Sequence, residues 1–363
     1  MKSRKAMERK LNFNAGPAEL PGEVLHELVK ATSNYKRTGM SIVEIPHRGP
    51  DFAEILEESK TLVRKLCGLS EQYEVLWLHG GGRMQFCMVP MNLLSNGKTA
   101  AYIDSGQWSN EAIEYARYYG SATVVASSKD NRYNRLPDWP TELPAETAYL
   151  HITTNNTIYG TQWPDIPATA VPLIADMSSD ILSREHNYHR YAMFYATAQK
   201  NLGVAGVALA VVHKSMLDKI VRPVPPIMSY KEQVRQNSVV NTANVHGIYA
   251  ALLMLRWINE RGIVNIERDN RKKAAMLYDL LDNSRVFKPY VADKNHRSMM
   301  NVCFTAATPE LEQQFMTLAE RNNITGIAGH RTAGGFRVSI YNAITIDAVA
   351  TLADLMHQFE RTA

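Results

Sequence analysis

The segment Ala196-Thr197-Ala198-Gln199-Lys200-Asn201-Leu202-Gly203 sets a single lysine between an amide side chain and a glycine, just before the apolar run 204–212. Asp176 stands 24 residues upstream, at the end of the apolar run 171–175. A lysine amine can hold an aldehyde as a Schiff base. A carboxylate at a strand end can keep a ring nitrogen protonated, so that the ring accepts electrons from a substrate carbanion. Pyridoxal phosphate chemistry needs both groups. Taken alone, a lysine beside a strand is more often a solvated chain end and an Asp there a turn residue, so the neighbouring motifs decide.

Gly80-Gly81-Gly82-Arg83 follows a strand candidate and precedes a helix candidate. Glycines there let backbone N–H groups approach a phosphate at a helix N-terminus. The dinucleotide fingerprint would require a further glycine where Gln85 stands, and a P-loop would require Gly-Lys-Ser/Thr where Arg83-Met84 stands. Trp108, after the strand ending at Asp104, could stack on a pyridine ring. Thr157 could reach a phenolic oxygen, although a turn role is the simpler reading. Two segments are rich in His and Arg: His47-Arg48-Gly49, and His330-Arg331-Thr332-Ala333-Gly334-Gly335-Phe336-Arg337. Each single arginine reads as surface charge. Together they suit an anionic substrate with both a carboxylate and a phosphate, because the guanidinium fork matches either group.

These residues need a frame. Apolar runs at 75–79, 100–103, 122–126, 149–153, 171–175 and 207–212 alternate with helical patterns such as 84–94 and 110–119. Several are Val- and Ala-rich with little polar alternation, which suits strands buried on both faces of an α/β sheet. Ligands of such sheets bind in the loops at one edge of the strands. A long helical segment at 249–261 leads into a different order: helix at 270–281, strand at 299–304, helix at 309–321, strand at 336–340. A last helix carries Val349, Leu352, Met356 and Phe359 on one face. This predicts a smaller α+β domain over 262–363, after a large domain over 12–261 and an N-terminal extension over 1–11 expected to be disordered.

Composition bounds the rest. The 363 residues are 45% hydrophobic and 21% charged, enough for a sizeable core. A net charge of +4, without a basic run, argues against a nucleic-acid partner. No stretch approaches the ~20 apolar residues of a membrane span. The N-terminus has no secretory pattern. Cys67, Cys87 and Cys303 are an odd, widely spaced set. They predict reduced thiols in a cytoplasmic protein, with neither a disulfide frame nor a metal site.

The chain resembles the phosphoserine aminotransferases, of fold type I among pyridoxal phosphate enzymes. The residues that carry the resemblance are NFNAGPAELP (12–21), TGMSIVEIPHRG (38–49), HGGGRMQF (79–86), ADMSSDILSR (175–184), ATAQKNLG (196–203) and GHRTAGGFRVSIYNA (329–343). It implies a large domain with a seven-stranded, mainly parallel sheet. Lys200 would be the Schiff-base lysine and Asp176 the acid at the pyridine nitrogen. Trp108 would stack on the ring and Thr157 bond its phenolic oxygen. Gly82, Arg83 and Gln199 would hold the cofactor phosphate, with Asn241 and Thr242 reaching it from the partner subunit of a homodimer. His47, Arg48, His330, Arg331 and Arg337 would bind substrate, Arg48 on the glutamate side. The implied reaction exchanges an amino group between L-glutamate and 3-phosphohydroxypyruvate, in serine biosynthesis, with the phosphohydroxy acid of vitamin B6 synthesis as a further substrate class. Alternatives are an alanine–glyoxylate aminotransferase, a cysteine desulfurase, or a catalytically silent binding protein of the same fold. Neither Cys87 in its helix nor Cys303 in its strand suits a desulfurase. Three departures from the family pattern stand out: Ala243-Asn244 where two prolines are usual, Asn237 where an Asp is common, and Pro46 where a Ser is more usual.

Overall fold

The computed structural model describes residues 9–363. Its centre is a sheet of seven strands: β1 (Tyr73–His79), β2 (Thr99–Asp104), β3 (Ser121–Ser127), β4 (Thr147–Thr153), β5 (Leu173–Asp176), β6 (Met193–Thr197) and β7 (Val207–His213). They lie in the order β1-β7-β6-β5-β4-β2-β3. Only β7 runs against its neighbours, so the other six end at the same edge. The expected α/β class and mainly parallel sheet stand. β6 is missing from the sequence-based strands; its Met-Phe-Tyr-Ala-Thr run lacks β-branched residues until its end.

Side chains alternate between the two faces, as the pleat dictates. Val75, Trp77, Ile152, Phe194 and Leu209 face helices Pro50–Cys67 and Val245–Arg261. Leu76, Tyr102, Ile174, Tyr195 and Ala210 face helices Gly82–Leu93 and Gln107–Arg117. With both faces covered, each buried Val or Leu contributes about 1.5–3 kcal/mol, and every site loop is held on a rigid layer.

A second core lies towards the C-terminus. Strands Phe287–Pro289, Asn301–Ala306 and Phe336–Ser339 form an antiparallel sheet. Helices Ile263–Asn283, Pro309–Arg321 and Ile346–Thr362 accompany it. Phe287, Phe304, Phe315, Phe336 and Phe359 fill this core, and Phe13 joins it. Thr308 and Thr345 cap their helices through Leu311 N–H at 3.4 Å and Ala348 N–H at 3.1 Å.

The extension expected to be disordered needs one correction. Residues 1–8 lie outside the described residues, but Leu11–Asn12 is a strand paired in parallel with Ile324–Thr325. Leu11 N–H donates to the Asn323 carbonyl at 3.0 Å. Among the described residues, no helix is long and apolar enough to cross a membrane and no His/Cys/Asp/Glu group could hold a metal.

Candidate active site

Five loops leave the same edge of the large sheet. β1 is followed by Gly80, whose φ of +88° turns the chain into helix Gly82–Leu93. The N-terminus of that helix opens onto a cleft of about 430 Å³. β2 ends at Asp104, which is spent on structure: it accepts from Asn110 at 2.7 Å, Ser127 at 2.7 Å and Tyr133 at 3.2 Å. These bonds fix the start of helix Gln107–Arg117, so Trp108 sits in its first turn rather than in a loop. The indole N–H donates to Thr157 Oγ1, on the turn after β4, at 3.0 Å. β5 delivers Asp176, and the turn after β6 delivers Gln199 and Lys200.

The cleft is lined by Gly82, Arg83, Trp108, Thr157, Asp176, Gln199, Lys200, His330 and Arg337 from the sequence-based set. It adds Gly16, Phe86, Thr153, Asn155, Ser178 and Thr197. All but Thr153 and Asn155 lie inside segments already singled out, but their side chains carry no chemistry distinct enough to name. His47, Arg48, Asn241, Thr242 and Arg331 do not line the cleft. His47 and Arg48 bond each other at 3.0 Å on the surface, and Thr242 and Arg331 are exposed.

Asp176 is 5% exposed and accepts from Ser178 N–H at 2.8 Å. Burial pushes its carboxyl above the usual range, with Ser178 and the Lys200 charge offsetting only part. Burial likewise pulls Lys200 down to about 8; Asp176 opposes this and the Arg337 charge reinforces it. Lys200 remains partly open to the cleft although protein surrounds it. The amine therefore sheds its proton far more readily than an ordinary lysine, which favours a nucleophile or base. Arg337 has no ion-pair partner among the described residues, and its Nε is buried without a hydrogen bond. His330 is held below its usual range by burial and by the Arg337 and Arg331 charges. Arg83 behaves differently. It pairs with Glu111 at 2.7 Å and lies over the Trp108 ring at 5.3 Å.

These residues fit pyridoxal phosphate. A buried carboxyl short of partners suits a protonated ring nitrogen. A Cβ on Gly82 would stand 3.3 Å from Ser178 Oγ and 3.9 Å from Asp176 Oδ2, so a side chain there would crowd the cleft floor. Thr153 Oγ1 is also buried without a partner.

The departures acquire local explanations. Asn244 caps helix Val245–Arg261, accepting from Gly247 N–H at 2.9 Å. Asn237, at φ +50°, accepts from buried Lys60 at 2.5 Å. Pro46 shapes the turn before helix Pro50–Cys67, its carbonyl accepting from Gly49 N–H at 2.9 Å. Cys87 lies in a helix and Cys303 is buried in a strand, which leaves no thiol on a loop of the cleft.

A cleft at the strand ends that holds a lysine of lowered pKa and a buried acid is what a fold type I pyridoxal phosphate enzyme requires. The aminotransferase class-V family profile matches residues 10–352. A phosphoserine aminotransferase of Geobacillus kaustophilus is 42% identical, covering 98% of this chain and 99% of the relative. The solved structure of phosphoserine aminotransferase from Bacillus circulans subsp. alkalophilus superposes with a TM-score of 0.95 at 40% identity, covering 98% of this chain and 99% of that one. The pyridoxal phosphate-bound phosphoserine aminotransferase of Trichomonas vaginalis does so at 0.92 and 31% identity, covering 96% and 100%. The chain belongs to the class-V aminotransferases and, within them, to the phosphoserine aminotransferase family. The expected enzyme class and pyridoxal phosphate dependence stand with that family.

Proposed function

We propose that the chain transfers an amino group between L-glutamate and 3-phosphohydroxypyruvate, giving 2-oxoglutarate and O-phospho-L-serine in serine biosynthesis. The observation that carries this reading is Lys200 over Asp176 in one cleft with the unpaired Arg337. Bound pyridoxal phosphate supplies an electron sink for the substrate carbanion. Lys200 would hold the cofactor through its amine and, once displaced by the substrate amine, would move a proton at the substrate α-carbon. Asp176 holds the proton on the ring nitrogen. Trp108 would cover the ring and Thr157 would bond its phenolic oxygen. The N-terminus of helix Gly82–Leu93, with Gln199, holds the phosphate, joined by the Arg83 backbone.

The α-carbon must come to the Lys200 amine, so the α-carboxylate common to both substrates falls to Arg337. His330 and Arg331 meet the distal anion. His47, Arg48, Asn241 and Thr242 lie outside their own cleft. They complete the partner's cleft in a homodimer, with Asn241 and Thr242 at the cofactor phosphate. The division into a large domain over 12–261 and a small one over 262–363, and a cytoplasmic setting, belong to the same reading.

The test is a panel of keto-acid acceptors, with and without a phosphate, assayed against glutamate. Selective turnover of 3-phosphohydroxypyruvate is expected. Equal turnover of pyruvate or glyoxylate would overturn the substrate assignment.

A further inference from the structure

Arg337 lies on strand Phe336–Ser339, cross-strand from Cys303, and Ser339 lies cross-strand from Asn301. Period two therefore puts Asn301, Cys303, Arg337 and Ser339 on one face of the small sheet. The other face, with Val302, Phe304, Phe336 and Val338, is the small core. The polar face is turned towards the large domain. Cys303 Sγ points at the Ile158 carbonyl, 3.4 Å away, and a Cβ on Gly160 would fall 2.9 Å from the Asn301 carbonyl oxygen.

Asn301 is fully buried and joins three walls of the cleft. Its Oδ1 accepts from Asn155 Nδ2 at 2.8 Å, and Asn155 also donates to Ser179 Oγ at 2.8 Å on the large-domain floor. Its Nδ2 donates to Ser339 Oγ at 2.9 Å, two residues along from Arg337. The same Nδ2 donates to Tyr341 Oη at 3.3 Å, and Tyr341 donates to the Ala15 carbonyl at 2.8 Å. Ala15 precedes Gly16, where an added Cβ would touch Lys200 Cγ at 3.5 Å. A buried polar network with every member satisfied specifies one arrangement, because a shifted register would strand its polar groups.

We propose that Asn301 is the positioning residue that sets the Arg337 guanidinium against Lys200. It touches neither substrate nor cofactor and acts through Ser339 and Tyr341. This rests on the reading of Arg337 as the α-carboxylate site.

The test is a double-mutant cycle of Asn301→Ala and Arg337→Ala, run on the holoenzyme with glutamate and O-phosphoserine as amino donors. Alkylation of Cys303 by a neutral reagent, followed by mass spectrometry, gives a second readout independent of activity. In the wild-type background, Asn301→Ala lowers kcat/KM about tenfold for both donors and exposes Cys303 to alkylation. In the Arg337→Ala background, it lowers kcat/KM less than twofold. A full tenfold loss in that background, or lost activity with Cys303 still protected, overturns the proposal. If Asn301→Ala fails to fold, Ser339→Ala replaces it under the same criteria. A wild-type enzyme inert to both donors would break the aminotransferase reading itself. Activity with additive losses would break only the role of Asn301.

Discussion

Replacing Arg337 by Ala probes both binding and electrostatics at the site. The guanidinium has no carboxylate partner among the described residues, so its removal strands no buried anion and leaves the fold intact. Truncating one side of a desolvated charge pair costs about 2–5 kcal/mol, so a 3 kcal/mol loss lowers kcat/KM roughly a hundredfold. The loss should be similar for glutamate and O-phosphoserine, which share the α-carboxylate. Arg337→Lys keeps the charge but not the fork and should recover only part. The same change acts on Lys200, whose pKa of about 8 owes part of its depression to the Arg337 charge. At pH 7 an amine with that pKa is neutral in roughly one molecule in ten, against about one in three thousand for an ordinary lysine. Removing a positive neighbour eases charging, so the Lys200 pKa rises in Arg337→Ala. The rate at which cofactor-free protein takes up pyridoxal phosphate should then reach its plateau at higher pH than in wild type. Stopped-flow kinetics gives kcat/KM, and the absorbance rise on cofactor addition gives the pH profile. A loss confined to one donor, or an unmoved profile, would refute the placement of Arg337 beside Lys200.

Two further outcomes test the frame. Lys60 is buried against the neutral Asn237 amide and pulled down to about 8 by burial. The unfolded chain therefore binds the extra proton between pH 8 and about 10.5, and stability attributable to Lys60 rises with pH across that window. Asn237→Asp supplies an ionised partner and should flatten that slope while raising Tm at pH 7; an unchanged slope in urea titrations would count against the pairing. A Cβ on Gly106 would lie 1.6 Å from Asn156 Nδ2 at a φ of +152°. Gly106→Ala should cost about 3 kcal/mol or more and loosen the Trp108–Thr157 bond, seen as a lowered Tm with altered tryptophan fluorescence.

The chemistry was legible where residue type and strand ends coincide. Lys200, Asp176 and the Gly80–Gly82 turn are marked by apolar runs that stop abruptly, and the sheet places all three at one edge. β6 was not legible, because Met193, Phe194 and Tyr195 serve a helix core as well as a strand. The polar seam of Asn155, Asn301 and Ser339 was hidden for a different reason. Its members lie on strands and turns whose polar faces meet protein instead of water, and no local pattern separates the two. His47 and Arg48 were visible as motifs, but nothing in the sequence said that their own cleft lacks them, whereas for Asn241 and Thr242 the family resemblance already pointed away from it. The strand at Leu11–Asn12 was masked by the polar residues before it, and its partner Ile324–Thr325 lies more than 300 residues away.

The central claim is that Lys200 anchors pyridoxal phosphate and moves the substrate proton. Lys200→Ala, reconstituted with pyridoxal phosphate and assayed with glutamate and 3-phosphohydroxypyruvate, tests it most directly. The account predicts loss of the visible absorbance of the lysine-bound cofactor together with loss of turnover. Turnover at the wild-type rate by that variant would contradict it.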